Sequence, residues 1–171
     1  MEQFKKQESC GPYLDNAYGY AIFPTITKVG VAVVGGAGGK GDVYVRKEDG
    51  VEKTGTSKMF QASFGPQFGG QVYAMIIFFE REIDYQRFVV DGFEFGADAN
   101  AVALTASAGA KVSTIDNNIG VQANVTGTKY NITKTSNTLM YTKGMAVFTS
   151  TIGGLMYEAS LSGQKYQFQP L

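Results

Sequence analysis

Residues Tyr18 to Gly41, YGYAIFPTITKVGVAVVGGAGGKG, decide how the rest of the chain is read. The stretch opens with a short apolar run, Tyr20-Ala21-Ile22-Phe23. Pro24 is expected to stop that run, because proline has no N–H to give a sheet ladder. A second apolar run, Val29 to Val34, dissolves into Gly35, Gly36, Gly38, Gly39 and Gly41. Asp42-Val43-Tyr44-Val45-Arg46 then resumes a strand-like alternation. The expectation is strand, tight corner, long glycine-rich strand, turn, strand.

A faint echo of this stretch returns in Lys143 to Lys165, KGMAVFTSTIGGLMYEASLSGQK. Gly19-x-Ala21-x-Phe23 matches Gly144-x-Ala146-x-Phe148. After a one-residue offset, Gly30 and Gly39 match Gly154 and Gly163. Two readings stand: chance, or two similar β-elements as pseudo-equivalent halves of one sheet. The second predicts strands at both Ala21-Ile22-Phe23 and Ala146-Val147-Phe148, with Gly30 and Gly154 in similar places.

The chain has 171 residues, enough for one domain with a sizeable core. Fifteen basic residues balance fifteen acidic ones, which argues against a strongly basic nucleic-acid binder. Glycine, at 22 residues, accompanies 12 Phe and 10 Tyr with no Trp or His, a composition that favours β-structure in close contact. Cys10 is alone, so no intrachain disulfide forms and the redox compartment is not indicated. No apolar run reaches the roughly 18 residues of a membrane-spanning helix. The first 15 residues lack the apolar core of a signal peptide. The chain is therefore either cytoplasmic or read after removal of such a peptide.

Glu2 to Glu8 is a candidate short polar helix, ended by Gly11-Pro12, with a last turn over Tyr13 to Ala17. Lys47-Glu48-Asp49-Gly50 reads as a hairpin turn. Val51 to Phe64 should return antiparallel with a kink near Gly55, and Gly65-Pro66 marks another corner. Gln71 to Phe79 carries apolar residues on both faces, as a central strand does. Glu80 to Val90 is the best helix, with Tyr85, Phe88 and Val89 on one stripe, bordered by Ile83 and Val90. Asp91-Gly92 should end it. Phe93-Glu94-Phe95 reads as a short strand with both rings on one face. Asp98 to Val112 is read as strand, with helix as the alternative because alanine favours it. Ser113 to Lys143 is a polar excursion expected to carry one hairpin. Its two sequons, Asn124 and Asn131, matter only in a eukaryotic secreted protein. Residues 1–171 are read as one domain with its core in 18–168. The fold class is mainly β (α+β): a strongly bent antiparallel sheet or open barrel with one or two short helices.

Several motifs fail on context. Gly36-x-Gly38-x-x-Gly41 matches a dinucleotide fingerprint as a string, but that fingerprint needs a helix after the glycines, and DVYVR is strand-like. A Walker loop would need Gly at position 34, which is Val34. With no His and one Cys, no zinc site of the usual kind assembles. Without His, a hydrolytic triad lacks its ordinary base. No catalytic residue, metal or cofactor is expected. Lys28 and Lys40 flank the glycine strand, where exposed glycine N–H groups beside a lysine can bind a phosphate oxygen. The alternative is that both are solvated turn residues.

YGYAIFPTITKVGVAVVGGAGGKGDVYV, FGPQFGGQVYAMIIFF, FEFGADANAVALTASAGAKV and MAVFTSTIGGLMYEASLSGQKY together resemble the blocks of the SYLF domain in its bacterial form. They follow that family's order across most of Tyr18 to Tyr166. Ser113 to Lys143 is longer than the family pattern. The N-terminal region is shorter, leaving Phe4, Lys5 and Lys6 as an amphipathic, basic element. The resemblance implies a non-catalytic lipid-binding module. Eukaryotic relatives associate with phosphoinositide membranes and some with actin filaments, and bacterial relatives are often envelope proteins. It favours the periplasm or cell envelope if a signal peptide was removed. The expected function is peripheral binding of anionic lipid headgroups through Lys28 and Lys40, with Lys5 and Lys6 adding affinity. The alternative is a protein-interaction module whose sheet edge or polar excursion captures a partner.

Overall fold

The structure, a computed structural model, describes residues 2–5, 10–64, 69–90, 93–95, 103–105, 113–115, 118–121, 124–125, 128–129, 132–133, 141, 143–154 and 163–171. Two short N-terminal helices, α1 (Glu2–Lys5) and α2 (Gly11–Asn16), precede four long strands. These are β1 (Gly19–Val31), β2 (Val34–Lys47), β3 (Gly50–Phe64) and β4 (Gly69–Phe79). Helix α3 (Glu82–Val89) follows, then the short strands β5 (Phe93–Glu94) and β6 (Ala103–Thr105). The polar excursion holds β7 (Ser113–Ile115), β8 (Asn118–Val121), β9 (Asn124–Val125), β10 (Thr128–Lys129) and β11 (Ile132–Thr133). Strands β12 (Met145–Gly154) and β13 (Lys165–Pro170) close the chain.

The main sheet runs β5-β13-β3-β2-β1-β4-β12-β6. Its first seven strands are antiparallel, and β6 joins β12 in parallel. The sheet is strongly curled. Strands β13 and β4 are four steps apart, about 19 Å in a flat sheet at the usual strand spacing. Yet the Tyr166 hydroxyl on β13 lies 4.0 Å from Met75 Sδ on β4. Tyr166 also meets the ring of Phe23 on β1, at a centroid distance of 5.6 Å. Only a half-barrel brings these side chains together.

Bulges supply part of the bend. They interrupt β1 at Pro24, the β2–β3 pair beside Gly55, and β12 at Ile152. Pro24 therefore does not end its strand as expected. It sits where the ladder skips, so its missing N–H has no ladder partner to lose. The chain turns instead at Ala32-Val33, a two-residue loop with Ala32 at φ 56°. The glycines belong to β2, a strand. Close contact demands two of them: a Cβ on Gly39 would lie 2.7 Å from the Thr25 carbonyl oxygen, and one on Gly41 2.7 Å from Cδ1 of the Phe23 ring.

The inner face of the curl holds Ala21, Phe23, Ile26, Val43, Met59, Tyr73, Met75, Ile77, Phe79, Val147 and Tyr166, closed by Phe88 of α3 and Phe95. Among the described residues, the outer face is covered at one end only. There Phe4, Cys10, Tyr13 and Ala17 pack on Tyr20, Ile22, Ala74, Ile76, Phe78, Ala146 and Phe148. As expected, β4 is central and buried on both faces. Gly11-Pro12 opens α2, because proline is tolerated in a first turn, and residues 6–9 before it lie outside the described residues. Helix α3 buries Phe88 and half-buries Tyr85 and Val89, while Ile83 and Val90 stay exposed. At its start, buried Asp84 pairs with Arg81 (3.2 Å) and Arg87 (3.3 Å), and Arg87 donates to the Lys143 carbonyl (3.1 Å).

The internal echo survives only in part. Both segments are strands, and β1 and β12 flank β4 on opposite sides. However, Ala21 and Phe23 point inward while Ala146 and Phe148 point outward. A one-residue slip moves every side chain of a strand to the other face, so the matching letters are not structural equivalents. Gly39 lies within β2, whereas Gly163 lies in a turn at φ 77°. The excursion holds two antiparallel pairs, β7–β8 and β9–β10, with β11 added to β8, rather than one hairpin. Of Asp98 to Val112, β6 alone is described. Gly65-Pro66 and Asp91-Gly92 lie outside the described residues.

Candidate binding surface

The bulge at Pro24 re-aims the far half of β1. Before it, odd-numbered residues such as Ala21 and Phe23 face inward; after it, Ile26 does. Thr27, Val29 and Val31 consequently face outward, opposite Gly38, Gly36 and Val34 of β2. Across the next ladder stand Phe60 and Ala62 of β3. Among the described residues, no helix covers this end. Val31 is 70 % exposed and Val33 at the turn 63 %, and Val29, Val34 and Phe60 are each more than half exposed. A Cβ on Gly36 or Gly38 would meet only a backbone oxygen, at 3.3 or 3.6 Å. These two glycines lower the floor of a shallow open groove of about 640 Å³, walled by Thr27 and Val29 on one side and Phe60 and Ala62 on the other. Neighbouring exposed apolar side chains on a strand hairpin make this face a candidate interaction surface.

Cations stand behind the apolar tip on the same outer face. Lys40 lies directly opposite Lys58, and both are exposed. Like charges placed opposite one another disfavour a sheet, and among the described residues neither has an ion-pair partner. The nearby acids are engaged: Asp42 with Lys53 at 2.8 Å and Glu94 with Lys165 at 3.5 Å. The hydrogen bond to Asp42 raises the Lys53 pKa.

The sequence-derived lysines do not form one cluster. Lys28 follows Ile26 by two residues and faces inward, while Lys40 faces outward. Lys5 is exposed on α1, whose Phe4 is buried over the covered end of the sheet, away from the valine tip. Lys6 lies outside the described residues. Lys58, Phe60 and the four tip valines take no part in the expected site. Their signal in the sequence is weak, since VGVAVV reads equally well as a buried run.

Lys28 belongs to a polar level of the inner face. Reading across the ladders, Gln71 of β4, Lys28 of β1, Ala37 of β2 and Gln61 of β3 are successive opposite residues. Gln164, just before β13, completes the level by donating from Nε2 to Gln61 Oε1 at 3.4 Å. The Tyr166 hydroxyl donates to Gln164 Oε1 at 2.6 Å. Burial pushes the Tyr166 hydroxyl well up and Tyr73 up to about 12, the latter partly offset by its hydrogen bond to Gln164. Both rings are therefore neutral near pH 7. Gln71 is buried, and among the described residues its Nε2 has no hydrogen-bond partner.

The fingerprint-like glycines sit inside β2 and are followed by antiparallel β3, so no helix N-terminus faces them. Among the described residues, no helix is long and apolar enough to cross a membrane. No family model and no solved structure matches the chain. It is similar to beta cell expansion factor A of Aeromonas veronii, with 29 % identity over 164 residues, or 95 % of this chain. The chain spans about half the length of that curated relative.

Proposed function

We propose that this chain is a non-catalytic module that docks peripherally on anionic lipid surfaces, with the valine tip in the interface and Lys40 and Lys58 against headgroups. The observation that carries the reading is the bare apolar hairpin, Val29 to Val34 with Phe60, backed by two cations without acidic partners among the described residues. An apolar tip alone would suit any greasy partner. The lysines behind it add complementarity to negative headgroups, each worth about 1 kcal/mol near an anionic surface. The resemblance to the SYLF blocks supports the same reading. A strand-adding protein partner is less well served, because the edge strands β5 and β6 have two and three residues and offer little ladder to extend.

The test is vesicle co-sedimentation with neutral and anionic lipid at low and high salt. Wild type should bind anionic vesicles and lose affinity as salt shortens the Debye length from about 10 Å at 0.1 M to about 3 Å at 1 M. Lys40→Ala/Lys58→Ala should bind about 30-fold more weakly, the equivalent of about 2 kcal/mol. Equal sedimentation with neutral and anionic vesicles would remove the headgroup role. No sedimentation with either would leave the protein-interaction reading.

A further inference from the structure

We infer that the polar level on the inner face, at the tip end of the curl, is a binding site for one singly charged oxyanion of the phosphodiester class, held by Lys28 and Gln71. The inference takes its lipid source from the membrane reading above, whereas its geometry is independent of it. Gln71 and Lys28 are direct cross-strand partners on one face. Gln71 is 7 % exposed, and among the described residues its amide nitrogen donates to nothing. Buried donors are nearly always satisfied, so an orphan one calls for an acceptor. Lys28 beside it is half-buried and has no ion-pair partner among the described residues. The engaged acids Asp42 and Glu94 belong to the outer face, opposite in sense to Lys28.

The rest of the level sets the charge and size of the guest. Ala37, the small residue between Lys28 and Gln61, leaves room on the row. Beyond it, Gln61 and Gln164 are amides already ordered by Tyr166. One cation with neutral amides and hydroxyls balances one negative charge, which is the charge of a phosphodiester. A phosphate monoester would bring a second charge with no cation to meet it. The outer lysines serve the membrane as a field; Lys28 and Gln71 select a headgroup. A water molecule would satisfy Gln71 alone and would make no use of Lys28.

The test is calorimetric titration of the full chain with glycerophosphoglycerol, a soluble phosphodiester, beside vesicles containing phosphatidylglycerol. Saturable binding of glycerophosphoglycerol is expected in wild type. It should weaken at least tenfold in Lys28→Met and in Gln71→Leu, and glycerol 3-phosphate should bind no tighter. Gln71→Leu removes an unpaired buried donor, so its melting temperature should equal or exceed that of wild type; a purely structural Gln71 would give a loss. Gln71→Glu would hand Lys28 an internal carboxylate and should abolish binding. Unchanged affinity in Lys28→Met or Gln71→Glu overturns the site. So does wild type that ignores the soluble headgroup while binding vesicles, and in that case the membrane reading survives. Soluble binding without vesicle binding would leave the site standing and remove the membrane reading.

Discussion

At the covered end of the sheet, Tyr20 stacks on Tyr44 at 5.1 Å, and Phe78 meets Tyr13 and Phe148 at 5.5 and 5.8 Å. At the tip, the same β1 and β2 carry Val29, Val31 and Val34 into solvent. Glycine separates the two ends as well. Gly41 has the Phe23 ring against it, so a side chain there displaces packed atoms; a Cβ on Gly38 would make only an ordinary contact, 3.6 Å from the Met59 carbonyl oxygen. One pair of strands thus holds a packed half, where substitutions cost stability, and a bare half, where they should cost binding. Natural surfaces rarely keep such apolar area without a use.

The largest effect should come from isolating the buried carboxylate that ties α3 to the start of β12. Asp84 is fully buried while Arg81 and Arg87 are partly exposed. Arg81→Ala/Arg87→Ala would leave a buried charge unpaired and should cost about 3 to 5 kcal/mol in urea unfolding. Asp84→Ala leaves only solvated arginines and should cost less. The reverse ranking would place the stabilisation elsewhere.

Alkali should attack the interior next. Tyr73 titrates near 12 in the fold and near 10 unfolded. Between these values the native state holds a proton that the unfolded state has lost, so stability falls as pH rises. Its contribution is complete below pH 10 and about 2 to 3 kcal/mol is lost by pH 12. Tyr73→Phe should flatten the alkaline limb of a denaturation series. An unchanged limb would mean that Tyr73 is not protected.

Gly41→Ala should destabilise by about 1 to 3 kcal/mol through overpacking against Phe23, whereas Gly38→Ala should stay within about 0.5 kcal/mol. Equal costs would erase the distinction between packed and bare halves. The smallest stability effect belongs to the tip. Val31→Ser/Val33→Ser should unfold within about 0.5 kcal/mol of wild type while lowering vesicle affinity about tenfold, as expected for losing on the order of 1 to 2 kcal/mol of apolar burial. Retained vesicle binding in that variant would move the interface away from the hairpin.

The contrast between the ends was only half visible in the chain. The alternation of Gln71 to Phe79 is enough to place a strand buried on both sides, and the stripe Tyr85-Phe88-Val89 is enough to place α3. The lysines at the glycine strand were visible as residue types, but not as belonging to different faces. A bulge at Pro24 reverses the parity of everything after it, and local sequence carries no count of ladder partners. The same blindness made the C-terminal echo look like a repeat of equivalent positions, when one residue of offset turns Ala146 and Phe148 outward.

The sequence by itself determined the β-rich class, the central strand, the helix after it, the Lys47–Gly50 turn and the absence of a helix behind the glycine run, because these follow from periodicity and backbone chemistry within a few residues. Tertiary structure decided the curl, the bare valine tip, the pairing of Lys40 with Lys58, and the meeting of Gln71, Lys28, Gln61 and Gln164 on one level. Those depend on strand order, register and bulges, which bring residues more than a hundred positions apart into contact only once the sheet has closed on itself.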